Sequence, residues 1–344
     1  MRLPPLFLLL GWTSFVSAQL EQVDTPPIRF HLISPTLQTR LDGSIVSNAF
    51  MHAGNGNPET GMFGFDRNAS DGLPRFHEGI DIAPLKRNRQ GIPLDVIKAA
   101  ADGTVAYVNR KPGDSSYGYY VVLLHSAPNL GTIYTLYAHL ASVDSRIVPG
   151  GKIIRGAELG RMGNTPGFPM ARAHLHFECG LIGSVRFAQW FKMDSAREAA
   201  RLKTKTAKPK PDHGNYNGQN LMGMNPSDLY RLRDEECAVD VLRYLKTLPV
   251  AFSVVCEVRS YPDYFKRYPA LWGGTGPFRP GLIKLDISQE GIVLHGQNID
   301  GEKPGILSVN SSLPGTRGRR LIARTSRGWG WTQSGRKWLE AFLF

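Results

Sequence analysis

The sequence predicts a mainly β protein, in which an antiparallel β-sheet domain precedes a smaller α+β C-terminal region of unrecognised fold. Residues 76–180 contain at least six short runs of strand character, separated by Gly-rich turns. No convincing helical periodicity interrupts these runs. Residues 220–344 instead combine a helix-start signal with several β-like runs, which is typical of an α+β region.

The turns between the predicted strands are marked by Gly, Asn and Asp. Asp102-Gly103 joins two apolar runs and favours the tight turn of a hairpin. Strands are predicted over residues 118–126 and 132–140, with Asn129-Leu130-Gly131 as the turn between them. These signals together predict antiparallel neighbours, because short turns of this kind join adjacent strands.

The last predicted strand of this series carries two histidines, His174 and His176. Strand side chains alternate between the two faces of a sheet, so both imidazoles point the same way while Leu175 and Phe177 point into a core. This arrangement can place one imidazole on a metal ion and its neighbour beside the site. The pattern alone is weak, because most such pairs are incidental.

A second candidate ligand pair lies on an earlier predicted strand. His77 and Asp81 share one face and flank Gly79, which has no side chain to obstruct the space between them. Neutral imidazole and carboxylate are both good ligands for Zn²⁺. A surface loop is the alternative interpretation of this stretch. His139 lies near the end of a third strand, on the face of Tyr137.

These motifs, taken together and in order, resemble those of the lysostaphin/LytM-type zinc endopeptidases, the M23 peptidase family. The resemblance extends over residues 70–182 and includes the Asp-Gly turn and the glycine turns that follow it. The motifs that carry it are His77-Glu78-Gly79-Ile80-Asp81, Tyr137-Ala138-His139-Leu140 and His174-Leu175-His176-Phe177-Glu178. The resemblance implies an antiparallel β-sheet peptidase domain over residues 70–192.

The resemblance also implies a role for each matching residue. One Zn²⁺ per chain would be held by three protein ligands, with water at the fourth position: His77, Asp81 and His176. His174 would be the general base, and His139 would orient groups and stabilise the oxyanion, although these two roles are exchangeable at this stage. Glu178 is expected to be structural, and Tyr117 to lie near the cleft. Phe168 and Met170 make one rim of the cleft more apolar than is usual in the family.

The N-terminus has the features of a secretory signal peptide. Arg2 is followed by a short apolar run, Leu3 to Trp12, and Val16-Ser17-Ala18 supplies a cleavage site. We predict cleavage after Ala18, no transmembrane segment in the mature protein, and export to the periplasm or the extracellular space. The apolar run is too short for a stable membrane anchor.

The formal net charge of +12 predisposes an exported protein towards polyanions. Loss of Arg2 with the signal peptide leaves about +11. Peptidoglycan and anionic wall polymers are therefore candidate partners, whereas nucleic acid is a poor candidate for an exported chain. General solubility is the alternative explanation for the charge.

The second half of the chain begins with a change of composition. Residues 203–211 form a basic Lys/Pro run that is typical of an extended linker. Asn225-Pro226 starts a predicted helix that extends to about Leu248, and a strand follows over residues 250–258. The predicted domains are a signal peptide (1–18), an N-terminal segment (19–69), the M23-like domain (70–192), a basic linker (193–219) and a C-terminal α+β domain (220–344).

Two features of the C-terminal half are ambiguous in the sequence. Trp329, Trp331 and Trp338 lie among arginines, so they either bind glycan or form the core and rim of a small domain. The chain has three cysteines, so at least one is unpaired within it. We expect Cys237–Cys256 to be the pair and Cys179 to be buried.

The function that these observations predict is an exported zinc metalloendopeptidase that hydrolyses peptide cross-links or bridges in peptidoglycan. One alternative is an M23-like wall-binding module that regulates another cell-wall hydrolase. The other is a zinc peptidase acting on proteins. The retention of all three ligands and both further histidines favours an enzyme over a binding module.

Overall fold

The computed structural model describes residues 28–29, 50–53, 56–68, 74–201, 213–216, 218–233, 235–236, 238–274, 276–313 and 318–344. The predicted signal peptide and the Lys/Pro run of the linker lie outside these residues. Within the described residues, no helix has the length and apolar character needed to cross a membrane.

The described residues are dominated by β-strands. The strands of the first part are β1 Ile28–Arg29, β2 Asp66–Asn68, β3 Pro74–Phe76, β4 Ile80–Ile82, β5 Val96–Lys98, β6 Gly103–Asn109, β7 Tyr119–Ala127, β8 Gly131–Val143, β9 Lys152–Ile153, β10 Glu158–Met162 and β11 Leu175–Ile182. The later strands are β12 Leu221–Met224, β13 Ala238–Val239, β14 Val250–Val258, β15 Gly281–Ser288, β16 Val293–Asn298, β17 Gly305–Val309, β18 Ile322–Thr325 and β19 Gly328–Trp331.

The helices of the described residues are concentrated in the second half of the chain. They are α1 Phe187–Arg201, α2 Pro226–Leu232, α3 Val241–Thr247, α4 Asp263–Arg267 and α5 Gln333–Leu343. Short 3₁₀ turns occur at Pro58–Gly61, Pro112–Asp114, Met170–Arg172 and Pro269–Leu271.

A nine-stranded sheet forms the centre of the first part and confirms the predicted antiparallel fold. Its main path is β12-β11-β8-β7-β6-β9, while β4 pairs with β11 and β10 pairs with both β5 and β8. The pairings within this sheet are all antiparallel. Leu221–Met224, which the sequence assigns to the C-terminal region, pairs with β11 at one edge.

The predicted hairpin at Asp102-Gly103 is wrong. The strand before this dipeptide, β5, pairs with β10, whereas the strand after it, β6, pairs with β7 and β9. The Asp102 side chain accepts a hydrogen bond from the Arg155 backbone N–H (2.6 Å), and its carbonyl oxygen lies 2.8 Å from Nδ1 of His125. These contacts hold a turn between strands that have different partners.

The sheet buries both of its faces. On one face, Leu175 and Phe177 are 0% and 1% exposed, as the strand alternation predicts, and they join a core that continues into the C-terminal region. The other face carries a second cluster that includes Tyr120, Leu136 and Leu221. The candidate ligand His176 lies on this second face, because it alternates with Leu175 and Phe177 along β11.

The predicted single helix from Asn225 to about Leu248 is wrong, although its start is confirmed. Asn225 caps α2, accepting a hydrogen bond from the Ser227 N–H, and Pro226 follows at the first position of the helix. The helix ends at Leu232, and β13 then pairs with β1. Asp240 caps a new helix, α3, through the Arg243 N–H, so two short helices replace one.

The C-terminal region contains a four-stranded sheet in the order β16-β15-β14-β17 and a hairpin, β18-β19. Trp338 is 7% exposed and stacks on Phe342, and Trp331 lies against Phe252, so these two tryptophans belong to the core. Trp329 is exposed beside Arg324.

The expected Cys237–Cys256 disulfide is wrong. Cys256 is a free, buried thiol on β14, and Cys237 lies outside the described residues. The side chain of Cys256 belongs to the apolar core, where burial raises the pKa of the thiol to about 12. Cys179 is also free and buried, as expected.

The C-terminal region is joined to the nine-stranded sheet by buried polar contacts. The hydroxyl of Tyr268 accepts a hydrogen bond from the Ile182 N–H (3.0 Å) and donates one to the Thr132 carbonyl (2.8 Å). Arg267 donates to the carbonyls of Ile182 and Gly183, both at 2.9 Å. These contacts cross between the two parts at the end of the sheet far from the candidate ligands.

Replacement of Tyr268 by Phe should lower the free energy of unfolding by about 1–3 kcal/mol, because it leaves the buried Ile182 N–H and the partly buried Thr132 carbonyl without their partner. Urea unfolding of the full chain measures the change. Tyr261→Phe is the matched control, since this partly exposed ring packs against Phe278 at 5.1 Å. Equal stabilities for the two variants would contradict a structural role for the Tyr268 hydroxyl.

Candidate active site

Three side chains that the sequence predicts as metal ligands meet at one point of the sheet. Nε2 of His77 lies 3.1 Å from Oδ1 of Asp81 and 3.1 Å from Nδ1 of His176. Nδ1 of His176 lies 2.9 Å from the same Asp81 oxygen. All three residues are buried, and they form a His/Asp/His group with the composition and spacing of a metal site.

The geometry of this group fits a divalent metal such as Zn²⁺. Tetrahedral coordination with bonds of about 2.0–2.1 Å places ligand atoms about 3.3 Å apart, close to the separations seen here. In each of the two histidines, the ring nitrogen that faces away from the ligand group lies near an acceptor. Nδ1 of His77 lies 2.8 Å from the Met62 carbonyl, and Nε2 of His176 lies 2.9 Å from Glu178 Oε1. We call these two atoms the outer nitrogens. With a proton on each outer nitrogen, both inner nitrogens present lone pairs to the same point.

The sheet register produces this convergence. His176 lies opposite Asp81 on β4 and opposite Ala138 on β8. Gly79 is required beside them, because a Cβ at this position would lie 2.3 Å from the Phe177 carbonyl oxygen and 3.0 Å from Cγ of Glu178. The absence of a side chain at Gly79 therefore lets β4 approach β11 closely enough to bring the ligands together.

Glu178 supports the outer side of His176. Its carboxylate receives hydrogen bonds from His176, from the Tyr117 hydroxyl (2.7 Å) and from the Tyr134 hydroxyl (2.9 Å). Burial by itself raises the pKa of a carboxyl, but these bonds outweigh it and lower the pKa of Glu178 below its usual value. Glu178 thus stays an acceptor, as a residue that fixes the imidazole orientation must.

Protons and a metal compete for His176. Burial lowers its pKa, but hydrogen bonds with Asp81 and Glu178 outweigh that effect and raise the pKa to about 9 in the metal-free protein. Metal binding at neutral pH must therefore release a proton from this group.

His174 and His139 lie beside the ligand group, as the sequence predicts. Nδ1 of His174 lies 2.5 Å from the Arg172 carbonyl, and its Nε2 lies 3.4 Å from Asp81 Oδ2. Nδ1 of His139 lies 2.8 Å from the Thr165 carbonyl. The two ring centroids are 4.7 Å apart, and burial lowers the pKa of His139 well below its usual value.

Thr165 positions His139 and was not found by sequence reasoning. Besides its carbonyl contact, its hydroxyl accepts from the Tyr119 N–H (2.9 Å) and donates to the Leu140 carbonyl (2.8 Å). His139 itself has a φ of 61°, in the left-handed region that residues other than glycine rarely adopt. The Thr165 contacts hold this conformation, and only the unusual turn after Asn164 hints at them in the sequence.

Phe168 forms an apolar wall over the two histidines. Its ring lies edge-on to His139 at 4.8 Å and 5.7 Å from His174, and the Arg172 guanidinium lies over it at 5.3 Å. The sequence predicts an apolar rim at this position but not its contact with both rings. Tyr117, expected near the cleft, lies 5.7 Å from the His176 ring.

The sequence model of peptidase family M23 matches residues 75–185, which include all of the site residues described above. Residues 75–185 are an M23 peptidase domain. The match leaves the described residues of the C-terminal region, beginning at Leu221, outside the family model. No curated protein matches the chain.

Solved structures that resemble the chain include other peptidases. A zinc-containing peptidase from Vibrio cholerae is 24% identical over 35% of this chain and 32% of its own, with a TM-score of 0.26. Csd3 from Helicobacter pylori is 19% identical over 52% and 41%, with a TM-score of 0.25. The catalytic domain of lysostaphin from Staphylococcus simulans is 18% identical over 35% and 76%, with a TM-score of 0.25. The chain thus spans less than half the length of the first two structures.

The remaining described histidines lie outside the M23 site. His125, for example, contacts the Asp102 carbonyl at 2.8 Å and the Thr135 hydroxyl at 2.7 Å, and burial lowers its pKa to about 4. These contacts link β7 to β8 and to the turn before β6. They are structural, as the sequence predicts for this residue.

Glu178→Gln should weaken divalent-metal binding by about 10–100-fold, because one amide oxygen cannot accept from His176, Tyr117 and Tyr134 together. Competition with a chromophoric chelator measures the affinity. Glu158→Gln is the control, since Glu158 is 39% exposed and lies 3.6 Å from Arg161 at the surface. An affinity that falls equally in both variants, or in neither, would contradict a supporting role for Glu178.

Proposed function

We propose that the protein is an exported zinc metalloendopeptidase that hydrolyses peptide cross-links or bridges in peptidoglycan. The observation that carries this proposal is the three-ligand group of His77, Asp81 and His176 with two further histidines beside it. Three protein ligands and an open fourth position are the pattern of catalytic zinc, whereas structural zinc has four protein ligands. The M23 family match supports a peptidase.

Zn²⁺ held by these three ligands would polarise the scissile carbonyl and make a water molecule nucleophilic near neutral pH. The protein must then accept a proton from the water and stabilise the charge that develops on the carbonyl oxygen. His139 and His174 are the candidate residues, since both border the ligand group and neither belongs to it.

Two contacts favour exchanging the roles that the resemblance implies for these histidines. His139 donates through Nδ1 to the Thr165 carbonyl, so in the neutral ring the lone pair that can accept a proton lies on Nε2. His174 has an oxygen acceptor near each ring nitrogen, at Arg172 and Asp81, which suits a ring that donates hydrogen bonds. We therefore propose His139 as the general base and His174 as the oxyanion donor.

The choice of substrate rests on charge and on the predicted export. A net charge of +12 favours an anionic polymer, and a predicted signal peptide would deliver the protein to the compartment that contains peptidoglycan. Anionic wall polymers are proposed as additional surface partners on the same electrostatic ground.

One observation supports a second candidate function, a wall-binding module that regulates another hydrolase. The four histidines and the aspartate of the site are at most 7% exposed, which leaves a polymer little access to them in this conformation. A module of this kind would bind the wall without cutting it, whereas an enzyme must open the site to its substrate.

The zinc-loaded protein should convert cross-linked muropeptide dimers of purified peptidoglycan into monomers, as measured by mass analysis of the products. His174→Ala keeps all three ligands, so it should retain zinc while cleavage falls by about 10²–10⁴-fold. Asp81→Ala removes a ligand and should lose both zinc and cleavage. The remote His295→Ala variant, on β16, should lose neither.

The outcomes separate the candidate functions. Cleavage of a protein such as casein but not of peptidoglycan would support a protein-directed zinc peptidase. Zinc binding and peptidoglycan binding without any cleavage would support the regulatory module. Full cleavage by Asp81→Ala would overturn the proposed metal site itself.

A further inference from the structure

The side chain of Arg319 extends from the C-terminal region into the M23 domain. Its backbone N–H donates to the Gln289 carbonyl at 3.1 Å, within the C-terminal region. The side chain is only 9% exposed, so the guanidinium is buried between the two parts of the protein. A buried guanidinium needs specific partners, since its charge is costly to remove from water.

The partners of Arg319 belong to two segments next to the candidate metal site. Nη2 donates to the Leu221 carbonyl and, at 3.4 Å, to the Gly218 carbonyl. The same nitrogen lies 3.8 Å from Oε1 of Glu78, and the guanidinium lies over the Phe76 ring at 5.8 Å. Arg319 therefore contacts the segment that leads from β3 into β4 and the segment from Gly218 to the first residue of β12.

The first segment places Arg319 one residue from a metal ligand. Phe76 and Glu78 flank His77 in the sequence, so the guanidinium holds both neighbours of this ligand. Arg319 also brings a positive charge within 3.8 Å of the Glu78 carboxylate, directly beside His77 in the chain.

The second segment connects Arg319 to another ligand, His176. Gly218 packs on Tyr117 so closely that a Cβ would lie 2.7 Å from the Tyr117 hydroxyl oxygen. That hydroxyl donates to Oε1 of Glu178 at 2.7 Å, and this carboxylate oxygen also lies 2.9 Å from Nε2 of His176. Arg319 holds the segment that confines Tyr117, and Tyr117 and Glu178 orient the imidazole.

We propose that Arg319 is a positioning residue of the zinc site, and that the C-terminal region is thereby a structural part of the peptidase centre. The inference rests on the proposed zinc function and assigns a role to a region outside the M23 match. Arg319 acts through Glu78 on the His77 side and through Gly218, Tyr117 and Glu178 on the His176 side.

The test compares Arg319→Met with Arg324→Met in the full chain. Arg324 lies in the exposed β18-β19 hairpin of the same region, 5.8 Å from the Trp329 ring, and makes a matched control. Zinc affinity is measured by chelator competition, and the visible absorption of bound Co²⁺ reports the ligand geometry. Arg319→Met should weaken zinc binding by about 10–100-fold and alter the Co²⁺ spectrum, while Arg324→Met changes neither.

A second substitution separates positioning from general stability. Glu78→Gln in the Arg319→Met background removes the carboxylate that has lost its cation, so it should recover part of the zinc affinity. A loss of affinity that came only from loosening the C-terminal region would not recover. Failure of Glu78→Gln to recover any affinity would therefore overturn the action of Arg319 through Glu78.

Two further outcomes keep the inference distinct from the proposed function. Wild-type protein that fails to bind zinc would overturn the proposed function, whereas wild-type binding with unchanged affinity in Arg319→Met would overturn only the role of Arg319. Where Arg319→Met does not fold, Arg319→Lys is tested in its place. Lysine keeps the positive charge, but its single ammonium group is on a shorter side chain and cannot reach all of the partners of Arg319. The zinc affinity of Arg319→Lys should be lower than that of the wild type but still measurable, and an unchanged affinity would overturn the inference.

Discussion

The pairing of β11 with β4 on one side and with β8 on the other determines the geometry of the candidate site. This register sets His176 opposite Asp81 and Ala138, while the alternation of β11 buries Leu175 and Phe177 in the main core. A shift of one residue would turn the histidines into the core and the apolar side chains towards the metal site. The hydrophobic core therefore specifies the register, and the register specifies the ligands.

The buried polar groups around this register form a connected network. Asp81 contacts three histidines, and Glu178 accepts from His176 and from two tyrosines. Buried charges of this kind are stable only when they are paired and hydrogen-bonded. A divalent cation at the centre would neutralise the Asp81 charge and replace the close contacts among the ligand atoms with coordination bonds.

The C-terminal region belongs to the same structural unit as the peptidase sheet. Its core is continuous with that of the M23 domain, and Tyr268, Arg267 and Arg319 make buried polar contacts across the junction. Tyr268 and Arg267 make these contacts at Ile182, at the end of β11 away from the ligands, whereas Arg319 makes them near the ligands. A detachable wall-binding module would not be expected to share a core in this way.

Local patterns in the sequence were sufficient to predict much of the fold and the grouping of the ligands. The strand predicted over residues 250–258 is β14 at its observed bounds, and strand alternation predicts which face His174 and His176 share. Non-local contacts were not predictable. The Asp102-Gly103 hairpin failed because β5 pairs with the distant strand β10 and not with β6. Arg319 likewise lies far along the chain from the ligands that it supports.

The proposed zinc site of His77, Asp81 and His176 contains no sulfur ligand, and zinc K-edge X-ray absorption of the zinc-loaded protein tests this ligand set. We expect nitrogen and oxygen ligands at about 2.0–2.1 Å, with the outer-shell scattering of two imidazoles. A sulfur shell at about 2.3 Å, or scattering from fewer than two imidazoles, would contradict it.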